Sequence, residues 1–102
     1  MKKAVILIAI LTLVATGLFA ADGAAVYMTK CASCHGPDGS GLTAMGKAMK
    51  LRDLASADVQ KQTDKELNAL TADGKGKMPA YKAKLSADEI NAVVTYIRSL
   101  KK

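Results

Sequence analysis

Apolar residues at Ile90, Val93, Val94, Ile97 and Leu100 recur at steps of three, one, three and three, a spacing that gathers them on one face of a helix. Directly ahead of them, Ser86-Ala87-Asp88-Glu89 has the form of a capping box, a hydroxyl at the N-cap with a carboxylate three residues on. The pattern predicts an amphipathic C-terminal helix. A second box, Thr63-Asp64-Lys65-Glu66, precedes Leu67 and Leu70 and predicts a short helix that ends in the basic run Asp73-Gly74-Lys75-Gly76-Lys77. From Leu42 to Leu54 no period dominates, and Met45, Met49 and Leu54 could line a bound group or simply pack. Gly36-Pro37-Asp38-Gly39-Ser40-Gly41 breaks whatever precedes it. Upstream, Asp22 can cap a first helix running to about Cys34, with Tyr27 one turn before Cys31. Tyr96, beside the C-terminal stripe, is expected to pack across that helix near Gly23 and Tyr27, where glycine allows two backbones to approach. No run alternates strand with helix, so the fold class is all-α, with the N- and C-terminal helices packed together.

The first residues follow a different pattern. Met1-Lys2-Lys3 is a charged start, and Ala4 to Ala21 is an uncharged, mostly apolar run ending in small residues. Residues 1–20 therefore read as a cleavable signal peptide and residues 21–102 as the mature domain. An uncleaved anchor is the alternative, since the run lies at the short end of what spans a bilayer. Export implies a periplasmic location and no permanent membrane insertion. The 82 residues that follow contain neither Trp nor Phe, only Tyr27, Tyr81 and Tyr96, so the aromatic part of a core is thin. Domains of this size usually need a staple.

Cys31-Ala32-Ser33-Cys34-His35 supplies one. Two thiols three residues apart, followed at once by an imidazole, form the attachment signature of covalent haem. On one helical turn both thiols face the same way and can reach two vinyl groups, while His35 is placed to ligate the iron. A thioredoxin-like dithiol would want a βαβ setting, zinc would want more ligands than one His and two Cys provide, and a disulfide closing so short a loop gains little. The sixth iron position has no second His to fill it. Met28 lies too close to Cys31 in sequence to reach round a porphyrin. Met45 and Met49 are within reach but sit at helical spacing, where methionine is usually a gap filler. Met78 is the favoured ligand: it follows the Gly/Lys loop and precedes Pro79, which keeps it extended.

Taken in order, Gly23 and Tyr27, the Cys-x-x-Cys-His motif, Gly36-Pro37-Asp38-Gly39, Met78-Pro79, Leu85-Ser86 and Val93-Val94-Thr95-Tyr96-Ile97 resemble the small bacterial class I cytochromes c over nearly the whole mature chain. The resemblance implies a single haem domain, one covalent haem c on Cys31 and Cys34, His35/Met78 axial ligation, and one-electron transfer rather than catalysis. Many relatives place a Trp near a haem propionate. This chain has none, which leaves Tyr81, Arg52 or backbone amides for that role, and Pro37 is the only early proline whose carbonyl could orient the proximal imidazole.

The chain carries a formal charge of +6, or +4 once Lys2 and Lys3 leave with the signal. Its lysines lack the aromatic interleaving of a single-strand nucleic-acid binder. If Lys47, Lys75, Lys77, Lys82 and Lys84 ring the haem edge, acidic redox partners would be steered to it. The carrier is expected to be a monomer. Two other readings remain from sequence, a haem subunit of a larger oxidoreductase and an open-site haem sensor or enzyme.

Overall fold

Asp22, Thr43, Ser56, Thr63 and Ser86 each stand at a helix start and accept the backbone N–H of the residue three positions on. In the computed structural model, which describes residues 21–102, the helices are α1 (Gly23–Lys30), α2 (Ala32–His35), α3 (Ala44–Met49), α4 (Ala57–Gln60), α5 (Asp64–Asp73) and α6 (Ala87–Ser99). The expected signal peptide lies outside the described residues. Both predicted capping boxes form in full, Thr63 with Glu66 and Ser86 with Glu89. Two features differ from expectation. The single first helix is interrupted at Cys31, whose φ of −115° turns the chain between α1 and α2. The one-turn helix α4 escaped the apolar pattern because only Val59 in it is buried.

The α6 stripe does what its spacing predicts: Ile90, Val93, Val94 and Ile97 are buried, and Leu100 sits half-buried at the C-cap. It packs on Tyr27, Leu54, Val59 and Leu67. Tyr27 is wholly enclosed, its ring centroid 4.8 Å from that of Tyr96 at an interplanar angle of 43°. Where α1 and α6 cross, a Cβ on Gly23 would lie 2.1 Å from the carbonyl oxygen of Ala92. That neighbour is backbone and cannot rotate away. Gly23→Ala should therefore push the two helices apart and destabilise the protein by about 2–3 kcal/mol, a fall in Tm on the order of 10 °C for a domain this small. Thermal unfolding at an unchanged temperature would show that the crossing has slack.

A polar peg completes the frame. Arg98 Nη1 donates to the Gln60 carbonyl at 2.8 Å, its Nη2 donates to the Gln62 carbonyl, and its Nε meets Asp64 Oδ1 at 2.8 Å. Gln60 Nε2 donates to the carbonyls of Leu54 and Ile97 at 2.8 and 2.9 Å. Carbonyls around the end of α4 that helix geometry leaves without partners are thus satisfied from α6.

Candidate functional site

The Cys31–His35 turn keeps its hydrogen bonding through the break in direction. Cys31 N–H donates to Tyr27 O at 2.8 Å, and His35 N–H donates to Cys31 O at 2.9 Å. Beyond it the glycine-rich loop folds back and pins the turn from behind. Gly41 N–H donates to His35 O at 2.8 Å, Thr43 Oγ1 donates to Cys34 O at 2.5 Å, and the Tyr27 hydroxyl donates to Gly36 O at 2.6 Å. A Cβ on Gly46 would fall 2.3 Å from Gly41 O and 2.8 Å from Cys34 O, so α3 can close on the turn only through a glycine.

In front of the turn lies a cavity of about 740 Å³, within the roughly 300–1,000 Å³ range of small-molecule and cofactor sites. Leu54, Val59, Leu67, Leu70, Val93 and Ile97 give it an apolar wall. Cys31, Cys34 and His35 line it, and so do Met49 and Met78. His35 Nδ1 is buried without a hydrogen-bond partner, and burial pushes the ring's pKa below its ordinary 6.5. The imidazole is therefore neutral at pH 7 and carries a nitrogen in need of a partner, the state a metal ligand requires. Its Nδ1 makes no hydrogen bond to Pro37, and the neighbouring Gly36 carbonyl is taken by Tyr27. Burial, with Cys34 close by, pushes the Cys31 thiol up to about 11. A reactive dithiol needs the opposite shift, so the thioredoxin-like reading loses its chemistry.

Met78 is delivered by a tightly built segment. Lys75 and Met78 exchange backbone hydrogen bonds of 3.2 and 3.0 Å across Gly76 and Lys77. Tyr81 and Lys82 N–H groups donate to Thr71 and Ala72 carbonyls, both at 3.1 Å, which straps the segment to the end of α5. Gly74, at φ 74°, turns the chain where a Cβ would lie 2.6 Å from the Met78 carbonyl oxygen. Met45, 54% exposed, and Met28, 46% exposed, lie outside the cavity lining. Of the methionines weighed from sequence, only Met49 and Met78 have access.

The basic rim also differs from expectation. Lys75 and Lys77 line the cavity as expected, joined by Lys30, Lys50 and Arg52, but Lys47, Lys82 and Lys84 do not. Lys82 is drawn to Asp73 at 3.4 Å, Lys84 Nζ lies over the Tyr81 ring at 5.7 Å from its centroid, and Lys47 is exposed on α3. Arg52 and Tyr81, considered for the propionates, both line the cavity. Arg52 Nη2 donates to Gln62 Oε1 at 3.1 Å and leaves other guanidinium donors free of protein partners among the described residues, whereas the Tyr81 hydroxyl donates to Lys30 O at 3.1 Å. Lys30, Lys50 and the buried Thr71 were missed because no motif marks them. Lys50 owes its place to a left-handed C-cap conformation, φ 54°, at the end of α3.

Helices wrapped round an apolar cavity, with a Cys-x-x-Cys-His turn in its wall, define a c-type cytochrome. Residues 19–97 match the family model described as cytochrome C oxidase, cbb3-type, subunit III. The chain is 36% identical over 78 residues to the cytochrome c6 of Leptolyngbya boryana, covering 76% of this chain and 88% of that one. It is 34% identical over 83 residues to the cbb3-type cytochrome c oxidase subunit CcoP of Cereibacter sphaeroides, covering 78% of this chain but 27% of the subunit. Among solved structures, the KustC0563 c-type cytochrome superposes with a TM-score of 0.74 at 34% identity, over 79% of this chain and 99% of that one. Cytochrome c6C from Synechococcus sp. PCC 7002 gives 0.61 at 32% identity, over 76% and 92%. The protein belongs to the cytochrome c family and is a small member with one covalently attached haem c. Among its described residues no helix is long and apolar enough to cross a membrane.

Proposed function

We propose that this chain is exported through residues 1–20 and works in the periplasm as a monomeric one-electron carrier. Cys31 and Cys34 hold the haem, each thiol adding across one vinyl group to make a thioether, and His35 and Met78 take the two axial positions. The observation that carries this reading is that one apolar cavity is lined by both thiols, by a neutral imidazole with a buried unpartnered nitrogen, and by a thioether on a strapped segment. When bound, the haem supplies a Fe(II)/Fe(III) couple. The protein's part is to keep its surroundings the same in both states. His35 is held by the glycine loop and Met78 by the Lys75 and Thr71 hydrogen bonds, so neither ligand needs to move on electron transfer. A neutral thioether and an apolar wall favour the reduced ion and raise the potential.

Lys30, Lys50, Arg52, Lys75 and Lys77 are proposed to form the docking rim for acidic redox partners. Purified mature protein should give one reversible one-electron wave per chain, and its oxidation by an acidic redox protein should slow as salt rises. Rapid cyanide binding would support the open-site reading instead, and a salt-independent rate would remove the rim from partner choice. The match to cbb3-type subunits favours a second reading, the haem domain of an oxidase complex; constant co-purification with oxidase subunits would establish it in place of the free shuttle.

A further inference from the structure

Tyr81 stands three residues after Met78 and is tied in three directions. Its N–H donates to Thr71 O at 3.1 Å, its carbonyl accepts from Lys84 and Leu85 N–H at 2.9 and 2.8 Å, and its hydroxyl donates to Lys30 O at 3.1 Å. The first two hold the segment to α5 and to the approach to α6. The third is different, because Lys30 is the last residue of α1 and immediately precedes Cys31. It joins the methionine segment directly to the element that carries the attachment turn, across 51 positions of sequence. The Lys30 carbonyl is one of the helix-end acceptors left without a partner inside α1. The ring itself lines the cavity, with Lys84 Nζ over it.

We propose that the Tyr81 hydroxyl is a clasp that holds the Met78 segment closed over the iron, which makes Tyr81 a positioning residue for the sixth ligand. The inference rests on the His35/Met78 reading. A segment that delivers a neutral, weakly bound thioether opens whenever its own tethers break, and an added ligand binds only to the opened fraction. The clasp must break for the segment to leave α1. Its removal raises the opened fraction without altering the iron or Met78.

Imidazole, titrated into the oxidised holoprotein and followed by loss of the far-red sulfur–iron band, is the probe. Tyr81→Phe should bind it about 3- to 10-fold more tightly, the effect of one lost hydrogen bond on the opening equilibrium, while the band without imidazole stays intact. In a Met78→Ala background no thioether competes for the sixth position, so imidazole binds without the segment opening and adding Tyr81→Phe should leave its affinity unchanged, as a double-mutant cycle requires for a residue acting through Met78. Tyr96→Phe, in the α1–α6 contact, should leave it unchanged in either background. A parent protein with the band and a Tyr81→Phe variant with parental affinity overturns the clasp alone. An equal gain in the Met78→Ala background also overturns it, since the hydroxyl would then act on ligand entry. Absence of the band in the parent overturns the ligation and the clasp together.

Discussion

Met78→Ala is expected to abolish the weak far-red sulfur–iron band and to lower the reduction potential by on the order of a tenth of a volt or more, within the roughly 0.8 V that axial ligands command. The direction follows from ligand chemistry: a thioether stabilises the reduced ion relative to water or hydroxide, and truncation also admits solvent to an apolar site. The segment itself should survive the change, because its closure depends on backbone hydrogen bonds at Lys75, Thr71 and Ala72 and on the Tyr81 hydroxyl rather than on the methionine side chain. Met49→Ala is the decisive companion. Met49 also lines the cavity, but it is the half-buried last residue of the short helix α3, without the extended, strapped setting of Met78. It should keep the band and shift the potential little. The reverse outcome, band lost with Met49 and retained without Met78, would transfer the ligation to α3. Met45→Ala should be silent in both measurements, since Met45 lies on the surface.

Loss of haem should be costlier still. With Cys31→Ser and Cys34→Ser together, or after chemical removal of the group, the cavity of about 740 Å³ loses its filling. Its apolar wall is then left to face water or must collapse, a loss of burial that is large against the whole stability of a typical domain, about 5–15 kcal/mol. The residues on the cavity wall are also the core: Tyr27, Leu54, Val59, Leu67, Val93 and Ile97 belong to both. No second core is available among the described residues to hold α1 against α6. The colourless chain should therefore lose most of its helical circular dichroism and its cooperative melt. Acid should weaken any residual fold further. Burial holds the folded His35 below its ordinary 6.5, so the unfolded chain binds that proton more readily and stability falls as the pH drops below about 6.5. Near-native helicity with a sharp melt in haem-free protein would show that the α1–α6 crossing suffices alone.

Local rules carried a long way here because the helix starts are marked by side chains acting over three residues. Each capping box is a contract between a hydroxyl and a carboxylate that needs no tertiary partner, and both formed as their residues predict. The apolar stripe of α6 was legible for the same reason, since period alone decides which face is buried. Gly23 and Tyr96 were legible through size, one too small to keep backbones apart and the other large enough to fill the space beside them. The break at Cys31 was not. It depends on a single φ angle in a turn whose hydrogen bonds otherwise continue, and nothing in the residue types marks it. The one-turn α4 was equally silent, with a single buried side chain and no room for a period.

The amino-acid order by itself determined the all-α class, the Cys-x-x-Cys-His pattern at Cys31, Cys34 and His35 on which the proposed haem attachment rests, and the restriction of any sulfur ligand to a handful of methionines, because spacing and residue chemistry are properties of neighbours along the chain. Which methionines can reach the cavity, which lysines stand on its rim and what ties the Met78 segment to α1 were decided only in three dimensions. Those are distances through space rather than along the chain, the longest of them joining Tyr81 to Lys30 across 51 positions. They depend on how the helices cross, and the crossing is set by packing around Gly23 and Tyr27 rather than by any local preference.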